Sequence, residues 1–180
     1  EFLQSSKPLW NNEQGKSVFV WGEQGIGDEI MFASLILDIY SSSSKLIVQT
    51  DQRLVDLFKR SFPDNIDFRS REEIVSETEY DAHIPLGSAP LHFRQTLESF
   101  KGRSKGWLSS CGTRANVLRS ELLCGDSEVL IGISWHTTAH RNGARNRLIP
   151  LNQIAQMLQA PKVRLVSLQY GDFVNEIKKL

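Results

Sequence analysis

The chain has 180 residues, 40% of them hydrophobic, and its 21 basic and 21 acidic side chains cancel. That length and apolar content suffice for one domain and part of another. A net charge of zero excludes a global field drawing the protein onto nucleic acid or an anionic membrane, so any charged ligand must be met locally.

The first segment, "EFLQSSKPLWNNEQGKS", is polar and has no apolar signal core, so secretion is not expected. "SVFVW" (17–21) reads as a buried strand, followed by the glycine turn "GEQGIGDE" (22–29) and a helix from about Asp28 to Tyr40. That helix is apolar on nearly every side and is expected to be buried. Its apolar run is interrupted by Ser34 and Asp38, and is too short for a membrane span. "SSSS" (41–44) ends it, and "KLIVQT" (45–50) is the second strand. A helix over 51–60 with Asp51 as N-cap, a short strand "NIDFRS" (65–70), a polar stretch and the strand "YDAHIPL" (80–86) come next. "GSAP" breaks regularity before a helix around 91–100.

A helix from about Gly112 to Leu123 leads to the polar break "CGDSE". "VLIGISW" (129–135) then begins a new strand, followed by the arginine-rich loop "HTTAHRNGARNR". Pro150 in the first turn opens the helix "LNQIAQMLQA", and "KVRLVSLQ" is a strand before a last helix at 172–180. Alternating strands and helices point to an α/β protein with parallel sheets. The expected division is a Rossmann-like domain over 1–126 and the beginning of a second Rossmann-like domain over 127–180, too small to close its own sheet. Cys111 and Cys124, without Cys or His partners at metal spacing, read as reduced thiols of a cytoplasmic protein.

Gly22, Gly25 and Gly27 follow a strand and open a helix, as in a phosphate loop, but their G-x-x-G-x-G spacing departs from the dinucleotide fingerprint. Asp28 and Glu29 occupy the first helical turn, where a carboxylate competes with a phosphate for free N–H groups and the positive dipole end. Two readings of Asp28 stay open: a helix cap, or a base that takes a proton from a hydroxyl at the cleft edge.

The blocks "VWGEQGIGDEIMFA", "DAHIPLGSAP", "IGISWHTTAHRNGARNRLIPL" and "VRLVSLQYGD" resemble, in order and spacing, bacterial glycosyltransferase-like proteins that often follow tetratricopeptide repeats. These are similar to the heptosyltransferases (glycosyltransferase family 9) and, more distantly, to the protein O-GlcNAc transferases. The resemblance runs from about Pro8 to the end, with "EQGIGD" and "GISW" as its most specific parts. It implies a GT-B fold, two Rossmann-like domains facing a cleft, and inverting, metal-independent transfer of a sugar from a nucleoside-diphosphate donor. No other cofactor is expected, and no D-x-D pair of the metal-dependent kind is present. By the same resemblance Asp28 matches the base that activates the acceptor. The implied setting is cytoplasmic, peripheral to the inner membrane, with tetratricopeptide repeats upstream in the parent protein and a glycan, lipid or protein acceptor. A chain of this length is expected to be an inactive fragment.

Acceptor-side candidates besides Asp28 are Gly25, Gly27, His83, Gly87 and Ser88, each with an ordinary reading as turn residue or core histidine. Donor-side candidates are Trp135, His136, Thr137, Thr138, Arg147 and Gln169, with Gly171 as a neighbour. The resemblance gives Arg147 a donor phosphate, and His140, Arg141 and Arg145 add local positive charge to that loop, which read without it is a solvated basic surface. Two other classes compete. One is an NAD-linked oxidoreductase in which Asp51 meets a ribose; the other is a non-catalytic sugar-binding or scaffold module.

Overall fold

The computed structural model describes residues 3–101, 106–123, 129–136 and 149–180. The chain forms two compact units, Glu1–Cys111 and Gly112–Leu180, so the helix before the composition shift groups with the second unit.

In the first unit β1 (Lys16–Trp21), β2 (Ser43–Thr50), β3 (Asp67–Ser70) and β4 (Ala82–Pro85) form a parallel sheet in the order β3-β2-β1-β4. This is a mixed α/β architecture with a Rossmann-like parallel sheet. Side chains alternate across it as strand geometry requires. Val18, Val20, Leu46, Val48, Phe68, Ala82 and Ile84 pack into the larger core, while Phe19, Trp21 and Ile47 face the other way with Tyr80. Burial on both faces explains why the strands read as unbroken apolar runs.

The larger core is closed by helices. The 28–40 stretch is not one helix: α1 (Ile26–Phe32) passes through a 3-10 turn at Ala33–Leu35 into α2 (Ile36–Ser42). At this break the Ser34 hydroxyl bonds back to the Met31 carbonyl (2.9 Å), a contact that competes with regular helical bonding. Nor is the stretch buried all round. Ala33, Leu35, Ile36 and Ile39 face the core, whereas Met31 is 53% and Leu37 40% exposed. Hydroxyls of Ser41, Ser42 and Ser43 fold back onto carbonyls of Asp38, Ile39 and Tyr40, and α2 ends midway through the serine run, whose last two residues open β2. The helix α3 (Gln52–Lys59) buries Leu54, Val55 and Phe58 and is capped by Asp51, whose carboxylate accepts from Arg53 N at 3.0 Å.

The opposite face is covered by chain without α-helix. Residues 71–81 cross it through a 3-10 turn, Glu77–Glu79, opened by a Ser76/Glu79 capping box. The strip Pro8–Trp10 runs beside β4, with His83 N donating to Pro8 O (3.1 Å) and Trp10 N to His83 O (2.8 Å). After β4 the expected helix over 91–100 is broken into a 3-10 turn (Leu86–Ser88), α4 (Pro90–Phe93) and a second 3-10 turn (Leu97–Phe100). Arg94 leaves helical geometry (φ −132°, ψ 49°), and its guanidinium reaches Asp38 at 2.8 Å. Trp10 and Trp21 are core residues, and Trp107 packs half-buried against the larger core.

The second unit contains α5 (Gly112–Leu122), the parallel pair β5 (Val129–Ile133) and β6 (Val163–Ser167), α6 (Leu151–Met157) and α7 (Val174–Ile177). Pro150 is the N-cap of α6 rather than a residue of its first turn. Trp135 and Leu151 are the buried hydrophobics of this unit among the described residues. Cys111 is an exposed free thiol, and Cys124 lies outside the described residues. No helix among the described residues is long and apolar enough to cross a membrane.

Candidate functional site

From β1 the chain steps outward through β2 to β3, then returns to the other side of β1 for β4. In an open parallel sheet ligands bind beyond the carboxyl ends of the strands where this order reverses, here between the ends of β1 and β4. Two turns meet at that point: Gly22–Gly27 after β1, and Leu86–Ser88 after β4. They are joined directly, since Gly87 N donates to Glu23 Oε1 at 3.2 Å. A Cβ on Gly87 would overlap that oxygen and push the end of the Glu23 side chain aside, while meeting the Phe32 ring at an ordinary 3.6 Å.

The two acids of the glycine turn have opposite fates. The Glu29 side chain is 1% exposed and ties α1 to the ends of β2 and β3. Its Oε2 accepts from Thr50 Oγ1 (2.6 Å) and Asp51 N (2.9 Å), while Oε1 is paired with the Arg71 guanidinium. Arg71 Nη2 also donates to Gln24 O at 2.5 Å, closing the turn onto the end of β3. A Cβ on Gly22 would overlap Glu29 Oε1 and stand 2.8 Å from Cδ, so this glycine admits the buried carboxylate. Sequence reasoning did not single out Glu29 from its neighbour.

Asp28 lies on the exposed side of α1. It is not the helix cap. Gly25 holds that position in extended geometry (φ −72°, ψ 163°), and no side chain caps the helix. Among the described residues the Asp28 carboxylate has no hydrogen-bond or ionic partner. Gly25 and Gly27 are exposed beside it, and Gly87 and Ser88 are half-buried on the facing turn.

His83 stands apart from this group. It pairs with Phe19 within the sheet and turns its ring to the face away from the larger core, where it is 6% exposed and Nδ1 accepts from Trp21 Nε1 at 3.2 Å. Burial pushes its pKa down from the ordinary histidine value, because the imidazolium would be poorly solvated there. Asp51, the ribose ligand of the oxidoreductase reading, is committed to Arg53 through Nε and Nη2 (2.9 Å each), and these bonds hold its carboxyl well below the usual range.

In the second unit the strand ends of β5 and β6 are joined by Gln169. Its Oε1 accepts from Trp135 N (2.9 Å), His136 N (2.7 Å) and Ser134 Oγ (3.1 Å), and its Nε2 donates to His136 O (3.0 Å) and Tyr170 O (3.1 Å). The Trp135 indole is buried, donates to Glu176 Oε2 at 3.2 Å and meets the Phe173 ring edge-on (centroids 5.7 Å apart). His136 is exposed and lies 5.0 Å from the same ring. Three of the donor-side candidates, Trp135, His136 and Gln169, are thus brought together. Thr137, Thr138, His140, Arg141, Arg145 and Arg147 lie outside the described residues. No group of three or more His, Cys, Asp or Glu among the described residues is placed to hold a metal ion.

No family model matches the chain, and no solved structure matches it. It is similar to a protein named FlbA from Caulobacter vibrioides, 26% identical over 185 aligned residues that cover 93% of this chain. The chain spans 31% of the length of that relative.

Proposed function

We propose that the chain is part of a GT-B glycosyltransferase, its first unit receiving the acceptor and its second the nucleoside-diphosphate sugar. One observation carries the reading: the strand-turn-helix at the switch point of the sheet presents an exposed carboxylate, Asp28, without a partner among the described residues, while its neighbour Glu29 is consumed internally. A phosphate loop would present bare N–H groups there; this turn presents a proton acceptor.

In this reaction Asp28 takes the proton of an acceptor hydroxyl as the oxygen attacks the anomeric carbon. The bond from that carbon to the diphosphate breaks on the opposite side, inverting the centre, and the nucleoside diphosphate departs. Thr137, Thr138 and Arg147 meet the departing charge with their hydroxyls and guanidinium. Gln169 supports this assignment by holding the backbone of Trp135 and His136 at the end of β5 with a neutral amide. The length of the FlbA relative, about three times that of this chain, is compatible with further domains around the pair, tetratricopeptide repeats among them.

Asp28→Asn in the full-length protein tests the assignment. Supplied with nucleoside-diphosphate sugars, the variant should lose transfer by about 10²- to 10⁴-fold, the usual contribution of a positioned general base. Donor affinity by calorimetry should be unchanged. Turnover within a few-fold of the parent would overturn the role of Asp28.

A further inference from the structure

We propose that Glu23 is a second ligand-binding carboxylate of the β1 turn, receiving a hydroxyl of the acceptor saccharide while Asp28 takes the reacting proton. This rests on the glycosyltransferase reading and adds to it the identity of a binding group and the ligand class that it fits.

The argument starts from an unmet hydrogen bond. Glu23 Oε1 is occupied by Gly87 N (3.2 Å) and the Gln24 side-chain amide (3.4 Å). Its Oε2 is shielded from solvent and has no partner among the described residues. Leaving such an oxygen unpaired costs about 1–3 kcal/mol, a cost that a donor arriving from outside would remove. A carboxylate accepts and never donates, so the missing group carries O–H or N–H.

Its placement narrows the choice. The carboxylate bridges the turns after β1 and β4, at the sheet's reversal of strand order. Glu23 as a whole is half-buried and its neighbours Gln24 and Gly25 are exposed, so the oxygen lies just beneath the surface. Gly87 on the facing turn carries no side chain, and a saccharide hydroxyl is an O–H donor of the kind that Oε2 lacks. The site is also built: Gly87 has no side chain where a Cβ would overlap Glu23 Oε1. Glu29, by contrast, has both oxygens paired and offers the ligand nothing.

The test follows the Gly87 amide by ¹H–¹⁵N NMR in the full chain, titrated with methyl β-D-glucopyranoside and with N-acetylglucosamine to about 10 mM, a concentration that detects millimolar affinity. At least one sugar should shift Gly87. Glu23→Gln keeps an acceptor for Gly87 N but turns an amide donor outward, and should raise the half-saturation concentration about tenfold. Gly87→Ala, which displaces the carboxylate while keeping it, should do the same. Failure of both sugars to shift Gly87, or binding by Glu23→Gln as tight as that of the parent, overturns the proposal; in the second case water satisfies Oε2. If Glu23-dependent binding holds but no nucleoside-diphosphate sugar is turned over, the transferase reading fails and Glu23 stands as a saccharide ligand.

Discussion

The turn after β1 and the turn after β5 solve one problem with opposite chemistry. Each must hold irregular backbone at the end of a parallel strand, and each does so with one side chain that gathers polar groups from separate segments. In the first unit the side chain is a carboxylate, Glu29, and the charge it buries requires Arg71 as counter-ion. In the second it is an amide, Gln169, whose oxygen and nitrogen meet donors and acceptors of the backbone without any charge. The acid-stapled turn holds a buried charge with its counter-ion; the amide-stapled turn holds backbone alone, with the Glu176 carboxylate reaching only the neighbouring Trp135 indole.

The contrast can be broken at three places. The largest effect is expected from Glu29→Ala, which removes the acceptor for Thr50 Oγ1 and Asp51 N and returns the half-exposed Arg71 to Gln24 O and water; each donor left unpaired costs about 1–3 kcal/mol. Urea unfolding followed by tryptophan fluorescence reads it. Asp28→Asn, one residue away and exposed, should move the same midpoint by less than about 0.5 kcal/mol. A midpoint change of similar size in both variants would erase the distinction between strut and ligand group.

Gln169→Ala is the matching cut in the second unit. With Trp135 N and His136 N left to find water, it should cost about 1–2 kcal/mol locally. Hydrogen exchange at those two amides should accelerate while amides of β1 and β2 keep their protection.

The smallest effect is expected at His83. Its folded pKa lies below the ordinary value of 6.5, so just below pH 6.5 the unfolded chain binds the proton that the folded chain refuses. Stability therefore rises with pH through that window and falls on acidification from pH 7 towards the folded pKa. Protonation of Nδ1 would also remove the acceptor for Trp21 Nε1. His83→Phe should flatten this part of the pH profile. The slope below about pH 4.5 should persist, because Glu79, held down to about 2 by its hydrogen bonds to Arg69, titrates there.

Much of this architecture is written locally in the sequence. β1 and β2 are apolar, β-branched-rich runs because parallel strands bury both faces, and Asp51 announces its helix because an aspartate at that position can accept from the second helical N–H. The strut is not written locally. Asp28 and Glu29 are adjacent acids in one helical turn, separated by about 100° of rotation. Which of them is buried depends on Thr50 and Arg71, far along the chain. Gln169 is hidden for the same reason, its partners being backbone groups at 134–136. His83 shows the limit of strand periodicity. Alternation with Ala82 and Ile84 puts it on the other face, but only the covering by residues 3–10 and 71–80 makes that face dry. The helix over 28–40 failed as a single element because Ser34 can satisfy a carbonyl with its own hydroxyl, a competition that apolar periodicity does not register.

The strip Pro8–Trp10 bears on how this protein keeps to itself. By pairing with His83 on the side of β4 away from β1, it occupies backbone groups that a strand of another molecule could otherwise recruit. Trp10 locks the strip in place, its indole donating to Glu13 O at 3.0 Å and its ring packed among His92 and Phe93. These few residues guard the β4 edge of the sheet against pairing with a strand of another molecule.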